Sequence, residues 1–174
     1  MRGIIILLTL IPLWSCNSAD TNENFNRLVK HSPYSVVMFI APDCPLCMTL
    51  STPYSKLADS FPDIQFMGVM SGNHYKAMEI NMYATENNFK PIIFRDYEYG
   101  VARQLKASVT PEFFLLDSQS NILYQGLMDD RILKLGSYKQ QWDKHYLRDA
   151  LEAVTQGKKP IVPKTETIGC ILEY

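Results

Sequence analysis

Histidine is scarce: the 174 residues hold three, His31, His74 and His145, and no two are paired. A second Cys-x-x-Cys is also missing, so the four-ligand set of a structural zinc site cannot be assembled from the sequence, and no metal site is assigned. The basic residues never gather into a long run and the formal net charge is −1, which leaves no electrostatic footprint for nucleic acid. Long apolar runs are absent after the N-terminus, and the one there, "GIIILLTLIPLW" at 3–14, is too short to span a bilayer comfortably. Internal repeats and low-complexity blocks are lacking, which argues against a solenoid. With four cysteines in a chain that is 47 % hydrophobic, a disulfide-stapled mini-domain is the wrong class and one ordinary buried core is the right one.

What is present begins with Arg2, the apolar run, Ser15 and Cys16. A charged start, a short apolar segment and a small residue before a cleavage point describe a secretory signal over residues 1–15. "LWSC" at 13–16 also resembles the bacterial lipobox, which implies that Cys16 is lipidated and anchors the mature protein to the inner or outer membrane, facing the periplasm. Export permits disulfides that the cytosol would reduce. Three cysteines then remain for chemistry, enough for one pair and a spare.

After a small polar tether to about residue 24, "FNRLVKH" is expected as a short helix and "YSVVMFI" (34–40) as a strand buried on both faces. A helix with Pro53 inside follows, then a strand at 64–70, a helix at 74–89, the short strand "PIIF" and a short helix at "YEYGVARQLKA". "EFFLLD" (112–117) and "ILYQGL" form a hairpin across "SQSN", and "HYLRDALEAVTQG" (145–157) is an amphipathic helix that a glycine stops. The tail 158–174 is expected to be an extended extension of a domain over 25–157. This order predicts an α/β fold, a mixed central β-sheet flanked by helices on both faces.

The chemistry concentrates in "DCPLC" at 43–47. Cys44 falls at the N-cap of the helix and Pro45 at its first position, where a missing N–H is no loss. Free N–H groups and the positive end of the helix dipole then face the Cys44 sulfur and favour its thiolate, the form that attacks disulfides. Cys47, one turn inside, is more shielded and suits a resolving role. Asp43 opposes the effect if its carboxylate points at the sulfur. Two other readings stand beside the redox pair: buried structural thiols, and Cu(I) capture helped by His74, Met78 and Met82, which share a face of the expected helix.

Cys-Pro-Leu-Cys at a helix start and Thr110-Pro111 before a later strand resemble the thioredoxin-like superfamily. Within it, "TPEFFLLD" and "LYQGLMDDR" look like the redoxin branch, which includes the peroxiredoxins and the TlpA-like and ResA-like envelope oxidoreductases. The resemblance covers about residues 30–156. It implies a thioredoxin-like fold, Cys44 and Cys47 as catalytic residues, a cis Pro111, and substrate binding by Pro45, Leu46, Thr110 and Pro111, with the Thr110 backbone offered to an incoming peptide. No cofactor is implied.

Two departures are visible. Val37 and Ala41 stand where peroxiredoxins carry the proline and threonine of PxxxTxxC, and Asp43 replaces the tryptophan that precedes the first cysteine of thioredoxin. No acid lies in "YSVVMFI", so the proton group for Cys47 is open, with Glu112 as a candidate accessory residue. Cys170 has no counterpart in the motif: a packed thiol, an intermolecular partner and a third redox cysteine are all open. The expected function is an extracytoplasmic, membrane-anchored thiol-disulfide oxidoreductase that reduces disulfide-bearing exported proteins and draws electrons from a membrane thiol carrier. The alternatives are a thiol peroxidase and a Cu(I)-binding chaperone.

Overall fold

The computed structural model describes residues 18–174; the expected signal peptide and Cys16 lie outside the described residues. The chain runs α1 (Ser18–Lys30), β1 (Tyr34–Phe39), α2 (Pro45–Ser60), β2 (Gln65–Ser71), α3 (Ala77–Glu86), β3 (Ile92–Asp96) and α4 (Gly100–Leu105). It continues through β4 (Val109–Thr110), β5 (Glu112–Asp117), β6 (Ile122–Gly126), β7 (Ile132–Lys134), β8 (Ser137–Tyr138), α5 (Tyr146–Thr155) and β9 (Cys170–Ile171). The central sheet has the order β3-β2-β1-β5-β6, with β1, β2 and β3 parallel and β5 and β6 antiparallel to their neighbours.

Side chains alternate across a strand, so a strand covered on both faces must be apolar throughout. Val36 and Met38 of β1, with Phe113 and Leu115 of β5, meet Leu46, Leu50 and Tyr54 of α2 and Leu147 and Leu151 of α5. Val37, Phe39, Phe114 and Leu116 point the other way, into Phe25 and Val29 of α1 and Val101 and Leu105 of α4. The expected mixed sheet with helices on both faces is therefore present. Tyr54 ties helix to sheet: its ring is fully buried and its hydroxyl reaches the carbonyls of Val36 at 3.0 Å and Met67 at 2.9 Å. Pro53 lies inside α2 without ending it.

Three segments differ from the sequence expectation. The stretch read as tether is helical from Ser18, and α1 is anchored by Phe25 and Val29 at its C-terminal half. The β7–β8 hairpin was not expected. The tail does not simply extend: it returns to the domain, first beside β6, where Gln125 N–H donates to Pro163 O at 3.0 Å and Thr165 N–H to Gln125 O at 3.0 Å, and then through β9, antiparallel to β4.

Candidate active site

The first turn of α2 forms where the chain leaves β1, and Cys44 is its N-cap with φ −93° and ψ 111°, followed by Pro45. No side chain caps this helix end, so the N–H groups of its first turn stay available to the Cys44 sulfur. Opposite lies the loop before β5, where the Thr110-Pro111 bond is cis. Cys44 Sγ is 3.1 Å from the Thr110 carbonyl oxygen, and the Cys170 thiol, brought in by β9, donates to Cys44 Sγ at 2.9 Å. Among the described residues the three cysteines, Cys44, Cys47 and Cys170, are free thiols.

Burial and hydrogen bonding separate them. The Cys44 pKa is lowered from 9.0 to about 5, first by the hydrogen bond from Cys47, against the cost of burial, with further help from the Cys170 thiol. Cys47 is fully buried, and burial pushes its thiol well above the usual range, reinforced by the negative charge on Cys44. Cys170 is pushed up to about 11, by burial first and then by Cys44. One thiolate flanked by two thiols is the charge state this geometry favours near neutral pH.

Several expectations meet the structure here. Asp43 accepts from the Tyr75 hydroxyl at 2.9 Å, a partner the sequence did not suggest. Leu46 is 1 % exposed and belongs to the core, so its side chain is not offered to a substrate, whereas Pro45 is exposed. That corrects the substrate-binding assignment of Leu46: the second residue after the N-cap points down the buried face of α2. Thr110 and Pro111 are buried beside Cys44 and Cys170.

Glu112 takes partners that the sequence did not suggest. It is buried, and its carboxylate accepts from Ser108 N–H at 2.8 Å and from Gln125 Nε2 at 2.7 Å. These bonds fasten the Thr110 loop to β6. Near Cys47 stand hydroxyls instead: Ser51 donates to the Cys47 carbonyl at 2.8 Å and lies 2.6 Å from Tyr83 Oη. No sequence pattern marked Tyr75, Ser108 or Tyr83; all three reach the site through tertiary packing.

The shared helical face behind the copper reading is not kept. His74 precedes α3, which starts at Ala77, so it does not continue the helical face of Met78 and Met82, and both methionines are exposed. Among the described residues no group of three or more His, Cys, Asp or Glu side chains is placed to hold a metal ion. What does open at the site is a cleft of about 430 Å³ walled by Asp43, Cys44, His74, Tyr99, Thr110 and the tail residues from Cys170 to Glu173.

No family model and no curated protein matches the chain. Solved structures do. A hypothetical protein from Sinorhizobium meliloti 1021 superposes with a TM-score of 0.73 at 23 % identity, over 85 % of this chain and 83 % of that one. An uncharacterized conserved protein from Geobacillus kaustophilus superposes with a TM-score of 0.69 at 25 % identity, over 84 % and 79 %. A secreted Mycobacterium tuberculosis disulfide oxidoreductase homologous to E. coli DsbE is more distant, with a TM-score of 0.46 at 17 % identity over 52 % of this chain and 66 % of that one. The sheet order, the Cys-Pro-Leu-Cys helix start and the cis Thr110-Pro111 loop facing it give this chain the thioredoxin-like fold.

Proposed function

We propose that the protein is an extracytoplasmic thiol-disulfide oxidoreductase that reduces disulfides in exported proteins, held to the membrane through Cys16 after removal of residues 1–15. The observation that carries this reading is the placement of Cys44 at the uncapped start of α2, its sulfur 3.1 Å from the Thr110 carbonyl oxygen of the cis Thr110-Pro111 bond, with Cys47 buried one turn inside; that setting lowers the Cys44 pKa and raises that of Cys47. A thiolate at neutral pH beside a protonated partner is what stepwise exchange requires.

In the first step Cys44 thiolate attacks one sulfur of a client disulfide. The client S–S bond breaks, a Cys44–client disulfide forms, and the other client sulfur leaves as a thiolate that takes a proton. Cys44 has then lost its negative charge, which removes the electrostatic penalty on ionising Cys47. Cys47 gives up its proton and attacks the Cys44 sulfur, releasing the second client thiol and leaving a Cys44–Cys47 disulfide. Two electrons pass from enzyme to client, and a membrane thiol carrier restores them.

No helix among the described residues is long and apolar enough to cross a membrane, which is compatible with attachment by a lipid. Insulin reduction tests the reading: the wild-type protein is expected to reduce insulin with a thiol donor, and Cys44→Ser to lose the activity. Cys47→Ser/Cys170→Ser, which leaves Cys44 as the one site thiol, is expected to accumulate in cells as mixed disulfides with exported proteins. Equal insulin reduction by Cys44→Ser contradicts the mechanism.

A further inference from the structure

β9 pairs antiparallel with β4, Cys170 opposite Thr110 and Ile171 opposite Val109, and Leu172 N–H donates to Ser108 O at 3.0 Å. An extended segment with a cysteine thus lies along the backbone just before Pro111, its sulfur against the Cys44 sulfur. A client peptide attacked by Cys44 must bring a cysteine to the same place. We infer that the C-terminal strand is a tethered substrate and that Cys170 is a third exchange cysteine, which takes the disulfide from Cys47 by forming a Cys44–Cys170 bond.

The two sulfurs are 2.9 Å apart, and a disulfide bond of about 2.05 Å needs a closure of less than 1 Å. Gly169 makes the approach feasible: a Cβ there would lie 2.5 Å from the Thr110 carbonyl oxygen, so any other residue pushes the strand away. The segment is fastened on both sides. Leu127 N–H donates to Thr165 Oγ1 at 2.8 Å, and the Tyr174 hydroxyl donates to Ala107 O at 3.1 Å while its ring stacks on Tyr99. The strand itself has two residues, Ile171 is 78 % exposed, and Ile168 and Leu172 are only partly buried against the core, so its release exposes less apolar surface than that of a core strand. Cys44 is 1 % exposed with the strand in place, and a client gains the sulfur by displacing it.

The step rests on the exchange chemistry proposed for Cys44, and it balances without an external oxidant. Cys170 loses its proton and attacks Cys44 in the oxidised protein. The Cys44–Cys47 bond breaks, the Cys44–Cys170 bond forms, and Cys47 leaves as a thiolate that takes up a proton; the protein stays oxidised by two electrons. Cys47 returns to its buried thiol state while the strand is locked over the site.

The test uses full-length Cys47→Ser and Cys47→Ser/Cys170→Ser, each incubated with oxidised glutathione, digested with trypsin without reduction and mapped by mass spectrometry. Cys44 lies in peptide 31–56 and Cys170 in peptide 165–174. In Cys47→Ser, glutathione is expected on Cys44 transiently and then a link between the two peptides, as Cys170 expels glutathione; the double variant is expected to keep glutathione. Gly169→Val, added to Cys47→Ser with Cys44 and Cys170 intact, is expected to slow the link about tenfold or more, as an oriented thiol becomes a merely tethered one. Glutathione that persists equally in the single and double variants overturns the role of Cys170 and leaves the Cys44 chemistry standing. Failure of Cys44 to take glutathione in either variant overturns both.

Discussion

The Cys170 thiol donates a 2.9 Å hydrogen bond to Cys44 Sγ across 126 residues of sequence. With the hydrogen bond from Cys47 it leaves Cys44 as the one site thiol ionised near neutral pH, which governs the pH behaviour.

Alkylation of Cys44 by iodoacetamide is expected to titrate with a midpoint near 5, with Cys47 and Cys170 unreactive at neutral pH. Removing a thiol donor raises that midpoint, more for Cys47→Ala than for Cys170→Ala, because the Cys47 bond is the larger cause. Mass-resolved alkylation rates across pH check the order. A midpoint near the ordinary 9.0 contradicts it.

The same values fix how the stability of the reduced protein depends on pH. A folded-state pKa lowered to about 5 means that the Cys44 contribution is complete above the unfolded value near 9.0 and is lost as pH falls through about 5. Cys170 acts in the opposite sense: its contribution is present below 9.0 and lost as pH rises through about 11. Urea midpoints of the reduced protein should therefore rise from pH 5 towards 9, and the rise should shrink in Cys44→Ala.

Tyr54 joins α2 to the sheet through ring burial and a shared hydroxyl. Tyr54→Phe is expected to cost about 1 kcal/mol for the lost hydrogen bonding, and Tyr54→Ala about 3–5 kcal/mol for the lost packing. Urea unfolding at fixed pH, compared through midpoints with unchanged slope, measures both.

Leu46→Ala is expected to destabilise by about 2–5 kcal/mol, as for a core leucine, whereas Pro45→Ala at the exposed first position of α2 should cost less than about 1 kcal/mol. Chemical denaturation of the two variants separates the residue that builds the core from the one exposed beside Cys44.

Glu112→Ala removes the acceptor of Ser108 N–H and Gln125 Nε2 and is expected to lower stability by about 1.5–3 kcal/mol and to slow insulin reduction by loosening the Thr110 loop. The pH profile of Cys44–Cys47 disulfide formation should keep its shape. A profile that loses a limb would make Glu112 the proton group for Cys47.

Much of this fold could be read locally. "YSVVMF" is apolar on both faces because helices cover both faces, and Cys44-Pro45 marks a helix start through the fixed backbone of proline. Thr110-Pro111 was recognisable from its place before "EFFLLD". The misreadings involve contacts between distant segments. Leu46 and Cys47 are adjacent, and only packing against the sheet sends Leu46 inward. Glu112 finds its partners across the hairpin in Gln125 and across the loop in Ser108. Polar residues at the start of α1 hide a helix whose apolar anchors begin at Phe25. For Cys170 the sequence offered only Gly169 beside it and Ile168 and Ile171 around it, and nothing in that pattern names Thr110 as the partner.

The most direct measurement is the site of attack in a purified protein. Cys47→Ser mixed with a disulfide-bearing peptide and quenched within seconds by acid should carry the peptide on Cys44, with Cys170 unmodified. Peptide attached to Cys170 while Cys44 stays a free thiol would contradict the account.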